Sequence, residues 1–230
     1  MAGDPVDPAS VRDPSGGYVC SQSNFPQHKE LSHSENEETE PSVSEPNLLV
    51  IVASTRPGRI GLPVSQWFVE AAKEHGGFQV SVADLAEENL PLLDEPHHPR
   101  LRRYQKDHTK RWSEKVAAAD AIVFVIPEYN YALGAALKNA IDYLHSEWNY
   151  KAAGVVSYGG VSAGTRSAMA LVGVAYALKL WMTPVAVNIP FVHTFLEDGV
   201  IKPNETMVGA AAGMLDELSK LTTALKPLRD

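Results

Sequence analysis

The sequence is short of the features that mark several common classes of protein. Cys20 is the only cysteine among the 230 residues, so no intrachain disulfide can form and a reducing compartment is expected. No apolar run is long enough to cross a bilayer, and no basic segment followed by an apolar one indicates a secretory signal peptide. We therefore expect a cytoplasmic protein with no membrane partner.

Basic surface is also scarce, and the negative charge is unevenly distributed. Residues 1–46 carry nine acidic and two basic side chains, a net charge of -7 out of -8 for the whole chain. Residues 47–230 are therefore close to neutral and have no basic stripe, which argues against a nucleic-acid partner. The acidic segment has few large apolar side chains, so we predict a disordered tail at 1–46 and one folded domain at 47–230.

Three familiar motifs are missing as well. The first apolar segment is followed neither by the Gly-x-Gly-x-x-Gly pattern of dinucleotide sites nor by a P-loop. The histidines lack the spacing of a zinc site. A Rossmann-type NAD site, a P-loop nucleotide site and a metal site are therefore not expected.

What the sequence does contain is a regular alternation of strand and helix patterns. Five apolar segments predict strands at 48–53, 78–84, 122–127, 152–157 and 183–189. Helical spacing predicts helices at about 61–75, 105–118, 134–146, 165–180 and 207–225, and Asp198-Gly199 predicts a short hairpin. This alternation predicts an α/β fold with helices on both faces of a doubly wound, five-stranded parallel sheet. The expected strand order is 2-1-3-4-5, as in flavodoxin-like proteins.

Polar turns follow strands one, three and four, whose carboxyl ends are adjacent in this order. The first turn contains Ser54, Thr55, Arg56, Gly58 and Arg59 just before a helix. A helix N-terminus offers free N–H groups and partial positive charge, and arginines pair with phosphate oxygens. The first turn therefore predicts a site for a single phosphate, against the alternative of a solvated loop.

The other two turns predict a site for a planar ring. In the middle turn, Tyr129 and Tyr131 offer flat apolar surface, Asn130 can both donate and accept, and Glu128 either acts as an acid or base or orients the loop. For either tyrosine alone, a role in core packing or in a subunit contact explains the residue as well as a role in ring binding does. In the third turn, Gly159-Gly160 and then Gly164 allow backbone N–H groups to approach a ligand oxygen.

A competing motif overlaps the third turn. Gly160 to Gly164 matches Gly-x-Ser-x-Gly, the pattern around a hydrolase nucleophile, which here is Ser162. The only later histidine is His193, no acid lies between the two, and Asp198 comes in the wrong order. A serine hydrolase is therefore the less favoured alternative.

The three turns, in this order and spacing, resemble the NAD(P)H-dependent FMN reductase family of flavodoxin-like fold, which includes azoreductases, chromate reductases and quinone reductases. The matching segments are 54–61, 127–131 with 137–142, and 157–164. The resemblance implies bound FMN. It places the phosphate against Ser54, Arg56, Arg59 and Ile60, the isoalloxazine and ribityl against Pro127, Glu128, Tyr129 and Asn130, and the pyrimidine side of the ring against Ser157, Gly159 and Gly160.

The resemblance also implies a mechanism and partners. NADPH or NADH passes a hydride to FMN, which then reduces an acceptor such as a quinone, azo compound, free flavin or metal oxyanion, so no catalytic side chain is expected. A homodimer or homotetramer is implied too. The 165–180 helix is apolar almost all round, which predicts burial in the core or against another subunit. The alternative within this fold is a flavodoxin-type electron carrier, against which Arg56 and Arg59 argue.

Overall fold

A computed structural model describes residues 45–229, and nearly all of the predicted tail lies outside this range. The folded part is built on a parallel sheet in the order β2-β1-β3-β4-β5, with β6 also pairing with β4. The predicted strand order and fold are therefore confirmed. The strands of this sheet are β1 (Asn47–Val52), β2 (Gln79–Asp84), β3 (Ala121–Pro127), β4 (Ala152–Tyr158), β5 (Trp181–Met182) and β6 (Val187–Ile189).

Helices cover both faces of the sheet, because the central strands are apolar on both sides. In β1, Leu48 and Val50 belong to one buried cluster and Leu49 and Ile51 to another, as the two-residue period of a strand requires. The first cluster is completed by α1 and α6, and the second by α3, α4 and α5. The helices are α1 (Gly61–His75), α2 (Leu85–Glu88), α3 (Asp107–Ala117), α4 (Ala135–Asp142), α5 (Thr165–Ala177) and α6 (Glu205–Leu225).

The helix ends follow local chemistry. Helix α1 stops at Gly76, whose φ of 74° lies in the left-handed region that glycine tolerates. Helix α4 ends four residues earlier than predicted. The Trp148 indole donates to the Ile141 carbonyl, and the Glu147 carboxylate accepts from the His145 amide. These side chains satisfy backbone groups that another helical turn would have used.

The fifth strand differs from the prediction of one strand over 183–189. It is divided into β5 and β6, both beside β4, with residues 183–186 between them. Pro184 lies in the interruption and has no N–H to offer to a sheet, while the Thr183 hydroxyl donates to the Val185 carbonyl. The predicted hairpin is confirmed as β7 (Leu196–Glu197) and β8 (Val200–Ile201), joined through Asp198-Gly199.

Helix α5 is less buried within the chain than its composition suggests. Its buried residues are Ser167, Leu171 and Ala175. Met169, Val172 and Tyr176 are 70%, 42% and 87% exposed, so the expectation of core burial is wrong for this outer face. Across residues 45–229, none of the helices combines the length and the apolar character that a membrane crossing requires.

Candidate functional site

The carboxyl ends of β1, β3 and β4 surround a cleft of about 180 Å³. All three turns identified in the sequence contribute to it, and Tyr158 and Val192 complete its lining. Asn130, Ser157 and Gly160 are the predicted site residues that do not line this cleft. The eight predicted residues that do are Ser54, Arg56, Arg59, Ile60, Pro127, Glu128, Tyr129 and Gly159.

Hydrogen bonds fix these turns against each other. The hydroxyls of Ser54 and Tyr129 share a bond of 3.2 Å, which joins the first turn to the middle turn. Pro127 and Tyr158 are paired at the last register position of β3 and β4, which places the middle and third turns side by side. The cleft therefore follows directly from the strand order.

The first turn leads into a helix whose N-terminus is uncapped. Ile60 occupies the capping position and cannot cap with its side chain, and no acidic residue lies in the first turn of α1. Pro63 has no N–H, and the amides of Ile60, Gly61 and Leu62 have no hydrogen-bond partner among residues 45–229. This helix end thus carries free donors and partial positive charge, which suit an anion.

The two arginines of the first turn are placed differently. Arg59 is mostly buried and forms an ion pair with Asp84, whose side chain is only 6% exposed. The Arg59 Nε atom is buried without a partner in the described chain. Arg56 is exposed and makes no ion pair with any residue of the 45–229 range. Of the two arginines predicted to contact a phosphate, Arg56 has no ion-pair partner in the described range, whereas Arg59 is held by a carboxylate.

The middle turn is a tight hairpin-like bend closed by two backbone hydrogen bonds between Tyr129 and Ala132. Asn130 and Tyr131 have φ values of 49° and 67°, as a type I′ turn requires. Asparagine tolerates this region, but it is unusual for a bulky residue such as tyrosine. The Arg166 guanidinium lies 4.1 Å from the centroid of the Tyr131 ring, and this cation–π contact supports the turn.

Glu128 is held in place by the start of α5. Its carboxylate accepts hydrogen bonds from the Arg166 guanidinium at 2.8 Å, the Arg166 amide at 3.2 Å and the Ser162 hydroxyl at 3.1 Å. Desolvation raises the pKa of Glu128, but these hydrogen bonds outweigh it and lower the pKa below the ordinary value. Glu128 is therefore an ionised residue that orients the loop, the second of the two roles considered for it.

The third turn uses most of its polar groups internally. The Gly159 amide donates to the Ile189 carbonyl, whereas the Gly160 amide has no partner in the described range. Gly164 has a φ of 77°, and a Cβ there would lie 2.8 Å from the Tyr158 backbone, so only glycine fits. Ser157 is fully buried, with its hydroxyl 2.8 Å from both the Ala163 carbonyl and the Asn188 side-chain oxygen.

Tyr158 is the lining residue that the sequence analysis missed. Its side chain is on the opposite face of β4 from Ser157, because strand side chains alternate. Tyr158 is 6% exposed, and its hydroxyl is buried without a hydrogen-bond partner among the described residues. In the sequence, the only indication that Tyr158 lines the site was its position between Ser157 and Gly159 at the end of a strand.

The arrangement around Ser162 does not resemble a hydrolase triad. Its hydroxyl donates to Glu128, and within residues 45–229 no hydrogen bond joins it to His193. In the same range, no three histidine, cysteine or acidic side chains cluster closely enough to hold a metal ion. The geometry therefore favours a ligand held by backbone amides, hydroxyls and arginine.

Comparison with known proteins identifies the family. Residues 46–194 match the model of the NADPH-dependent FMN reductase family. The chain belongs to the NADPH-dependent FMN reductase family. The family predicted from the three turns is confirmed, and with it the class of an oxidoreductase that uses FMN and NAD(P)H.

Relatives of this FMN reductase cover most of its length. A Nectria NAD(P)H-dependent FMN reductase, ntnL, is 31% identical over 192 residues, which are 79% of this chain and 96% of that protein. A quinone reductase of Pseudomonas putida is 32% identical over 186 residues, covering 79% and 87% of the two chains. Among solved structures, the flavoenzyme FerB of Paracoccus denitrificans has a TM-score of 0.63 at 18% identity, covering 78% and 98%. The similarity to FerB supports the fold alone.

The residues present fit FMN. The uncapped start of α1, the unpartnered Tyr158 hydroxyl and the unpartnered Arg59 Nε all lie along one side of the cleft. Buried polar groups are normally hydrogen-bonded, so an anionic ligand group at this position would satisfy several of them at once.

Proposed function

We propose that this FMN reductase binds FMN in the cleft at the ends of β1, β3 and β4, and passes electrons from NAD(P)H to a small-molecule acceptor. The observation that carries the proposal is the group of unsatisfied donors at the start of α1, directly beside the aromatic middle turn. When bound, FMN supplies the redox chemistry, by accepting a hydride and returning the electrons to the acceptor. The protein's residues bind and orient it.

The phosphate lies at the first turn in this proposal. The amides of Ile60, Gly61 and Leu62 donate to it, and Arg56 supplies a positive charge that no carboxylate of the described chain offsets. Arg59 contributes from a fixed position, because Asp84 holds its guanidinium. Ser54 is 2% exposed and shares its hydroxyl with Tyr129, so it supports the pocket between phosphate and ring.

The ring lies against the middle turn. A cleft of about 180 Å³ is smaller than the roughly 300–1,000 Å³ that encloses a drug-sized ligand. The cleft therefore takes the phosphate and ribityl end, and the isoalloxazine rests at its rim on Pro127 and Tyr129. The free Gly160 amide is a donor for the pyrimidine edge, and Asn130 is exposed at the same rim.

Ser157 has an indirect role in the proposed site. Its hydroxyl is buried against Ala163 and Asn188, and these bonds hold the third turn in the shape that presents Gly160. Glu128, Ser162 and Arg166 hold the middle turn in the same way. The site therefore has ligand-facing groups on one side and supporting groups behind them.

The visible absorption spectrum and steady-state NAD(P)H oxidation test this function. We expect the protein mixed with FMN to retain a yellow chromophore through desalting and to oxidise NAD(P)H when a quinone is added. Ser162→Ala should remain active, which a serine hydrolase would not. A protein that binds FMN but leaves NAD(P)H unoxidised would instead be an electron carrier, and one that retains no flavin contradicts the proposal.

The acceptor is proposed to be a quinone, azo compound, free flavin or metal oxyanion. The quinone reductase relative from Pseudomonas putida supports the first of these. Parallel assays with one member of each class rank them by kcat/KM. A protein inert with all four would contradict this set of acceptors.

We also propose a homodimer or homotetramer built partly on α5. Three large apolar side chains, Met169, Val172 and Tyr176, are exposed on one side of this helix. Exposed apolar patches of this kind favour association. Light scattering should give a multiple of the 25.0 kDa chain mass, and Tyr176→Lys should reduce it. A monomeric wild-type protein contradicts this proposal.

The organisation and location of the chain are proposed as follows. Residues 47–230 form one flavodoxin-like domain, residues 1–46 are an acidic tail outside it, and the protein is cytoplasmic. The single cysteine and the net charge of -7 in the tail support these assignments. Limited proteolysis that removes the tail without loss of FMN binding, and cell fractionation, test them.

A further inference from the structure

The Tyr158 hydroxyl is the least expected polar group in the cleft. Its ring packs in the cluster between the sheet, α1 and α6, where a phenylalanine would fill the same space. The hydroxyl is buried and has no hydrogen-bond partner in the described part of the chain. A buried polar group without a partner costs stability, so the hydroxyl is expected to serve something other than packing.

The position of this hydroxyl is fixed by its contact with the start of α1. A Cβ added to Gly61 would lie 2.5 Å from the Tyr158 oxygen and 3.3 Å from the Ser54 Cβ. The hydroxyl therefore lies directly against the first residue of the helix. Gly61 is the residue that leaves room for it there.

The hydroxyl is also suited to donate. Burial raises the pKa of Tyr158, and the neighbouring Ser54, Arg56 and Arg59 lower it by less, so the phenol keeps its proton across the neutral range. The nearby Ser54 hydroxyl already shares a bond with Tyr129. The Ser54 hydroxyl lowers this pKa by donating toward the Tyr158 oxygen, which leaves the Tyr158 proton itself without an acceptor among the described residues.

The helix start needs such a donor, because it offers fewer amides than usual. The four amides at the start of α1 that have no intrahelical partner are those of residues 60–63, and the one at Pro63 has no hydrogen. The amides of Ile60, Gly61 and Leu62 remain, one fewer than a helix normally presents. A buried side-chain donor beside Gly61 makes up for part of this loss.

We propose that the Tyr158 hydroxyl donates a hydrogen bond to the terminal phosphate of FMN and is a determinant of selectivity for FMN over riboflavin. This inference rests on the proposed function, since it requires FMN in this cleft. The site selects the phosphorylated ligand because a phosphate is a charged acceptor for the buried donor, whereas riboflavin ends in a neutral hydroxyl that accepts a weaker hydrogen bond.

The test uses Tyr158→Phe, which removes the hydroxyl and keeps the ring. Dissociation constants for FMN and riboflavin are measured by quenching of flavin fluorescence. We expect FMN binding to weaken by about tenfold or more, as for loss of a hydrogen bond to a charged group, with riboflavin binding unchanged. The melting temperature of the flavin-free protein should stay the same or rise, because the variant buries no unpaired hydroxyl.

Tyr143→Phe is the matched control. Tyr143 is also buried, but its hydroxyl is bonded to the Pro91 carbonyl and to Asp94, and it does not line the cleft. We expect this control to lower the melting temperature and to leave the ratio of FMN to riboflavin affinity unchanged. Equal changes in both affinities for Tyr158→Phe, or no change for FMN, overturn the role of Tyr158 alone. A wild-type protein that binds no FMN overturns this inference together with the proposed function.

A second variant tests the same contact from the helix. In Gly61→Ala the added methyl group displaces the Tyr158 hydroxyl, so FMN binding should again weaken selectively. In the Tyr158→Phe background the same change should have a smaller effect, because the nearest ring carbon is 3.4 Å from the added methyl. Fully additive effects of the two changes would contradict direct contact between the hydroxyl and the helix start.

Discussion

The two sides of the cleft differ in how much of their hydrogen bonding is complete within the chain. On the side of the middle and third turns, the side chains of Glu128, Ser162 and Arg166 bond to one another, although the Gly160 amide has no partner in the described range. On the side of the first turn, the amides of α1 and the Tyr158 hydroxyl have no partners in the described range. We call the side of the middle and third turns the finished side, because its side chains are paired without a ligand. We call the side of the first turn the unfinished side, because its donors gain hydrogen-bond partners only from a bound ligand. The comparison therefore separates residues that support the site from residues that bind.

Arg59 is the exception on the unfinished side, and its removal is expected to have the largest effect. Arg59→Ala leaves the carboxylate of Asp84 buried without its partner, and we expect a loss of about 3–5 kcal/mol in the free energy of unfolding. Urea unfolding of the flavin-free protein measures this. Replacing Asp84 by alanine in the same variant should restore part of the stability, and no restoration would indicate that the pair is not the cause.

Arg56→Ala tests the unfinished side without disturbing the fold. Arg56 is exposed and has no ion-pair partner in the described chain, so stability should change by less than about 0.5 kcal/mol. FMN binding should weaken by about tenfold, because one charged contact to the phosphate is lost, and riboflavin binding should not change. Titration of both flavins by fluorescence measures the ratio. An equal loss for both would remove the phosphate from the first turn.

Glu128→Gln tests the finished side and should cost about 1 kcal/mol, because Arg166 is partly exposed. We expect FMN and riboflavin to weaken by the same factor. The pKa of Glu128 is below its ordinary 4.5, so its contribution is present above pH 4.5 and is lost as the pH falls from there through the lowered value. The difference in unfolding free energy between wild type and variant should therefore shrink as the pH is lowered below 4.5. A constant difference would contradict the assigned pairing.

Asn130→Gly should have the smallest effect. Asn130 is exposed with a φ of 49°, which glycine also adopts without strain, so stability should change by about 0.5 kcal/mol or less. Any change in flavin affinity then reports the side chain itself. If FMN and riboflavin both weaken, the amide contacts the ring as proposed, and unchanged affinities for both would remove Asn130 from the site.

Much of this arrangement was predictable from patterns that depend on local residues. The alternation of apolar strands and helices indicated the sheet order, and the order placed the three turns at one edge. The sequence patterns did not predict which side chains at the strand ends face the cleft. Whether Ser157 or Tyr158 faces the cleft depends on which face of β4 is opposite α1, and nothing in the local pattern distinguishes two adjacent buried residues.

Contacts between residues that are far apart in the sequence were the second feature that sequence patterns did not predict. Arg59 reads as a free phosphate ligand until β2 is placed beside β1, which brings Asp84 next to it. The division of the fifth strand had a local signal in Pro184, but the remaining apolar residues fit one continuous strand equally well.

That division also bears on solubility during folding. Strand β5 is at the edge of the sheet, where unpaired backbone groups can recruit strands from other chains. Here the edge is broken into segments of two and three residues, with Pro184 between them. Each segment is too short to serve as a template for intermolecular β-sheet, so the interruption acts as built-in protection against aggregation.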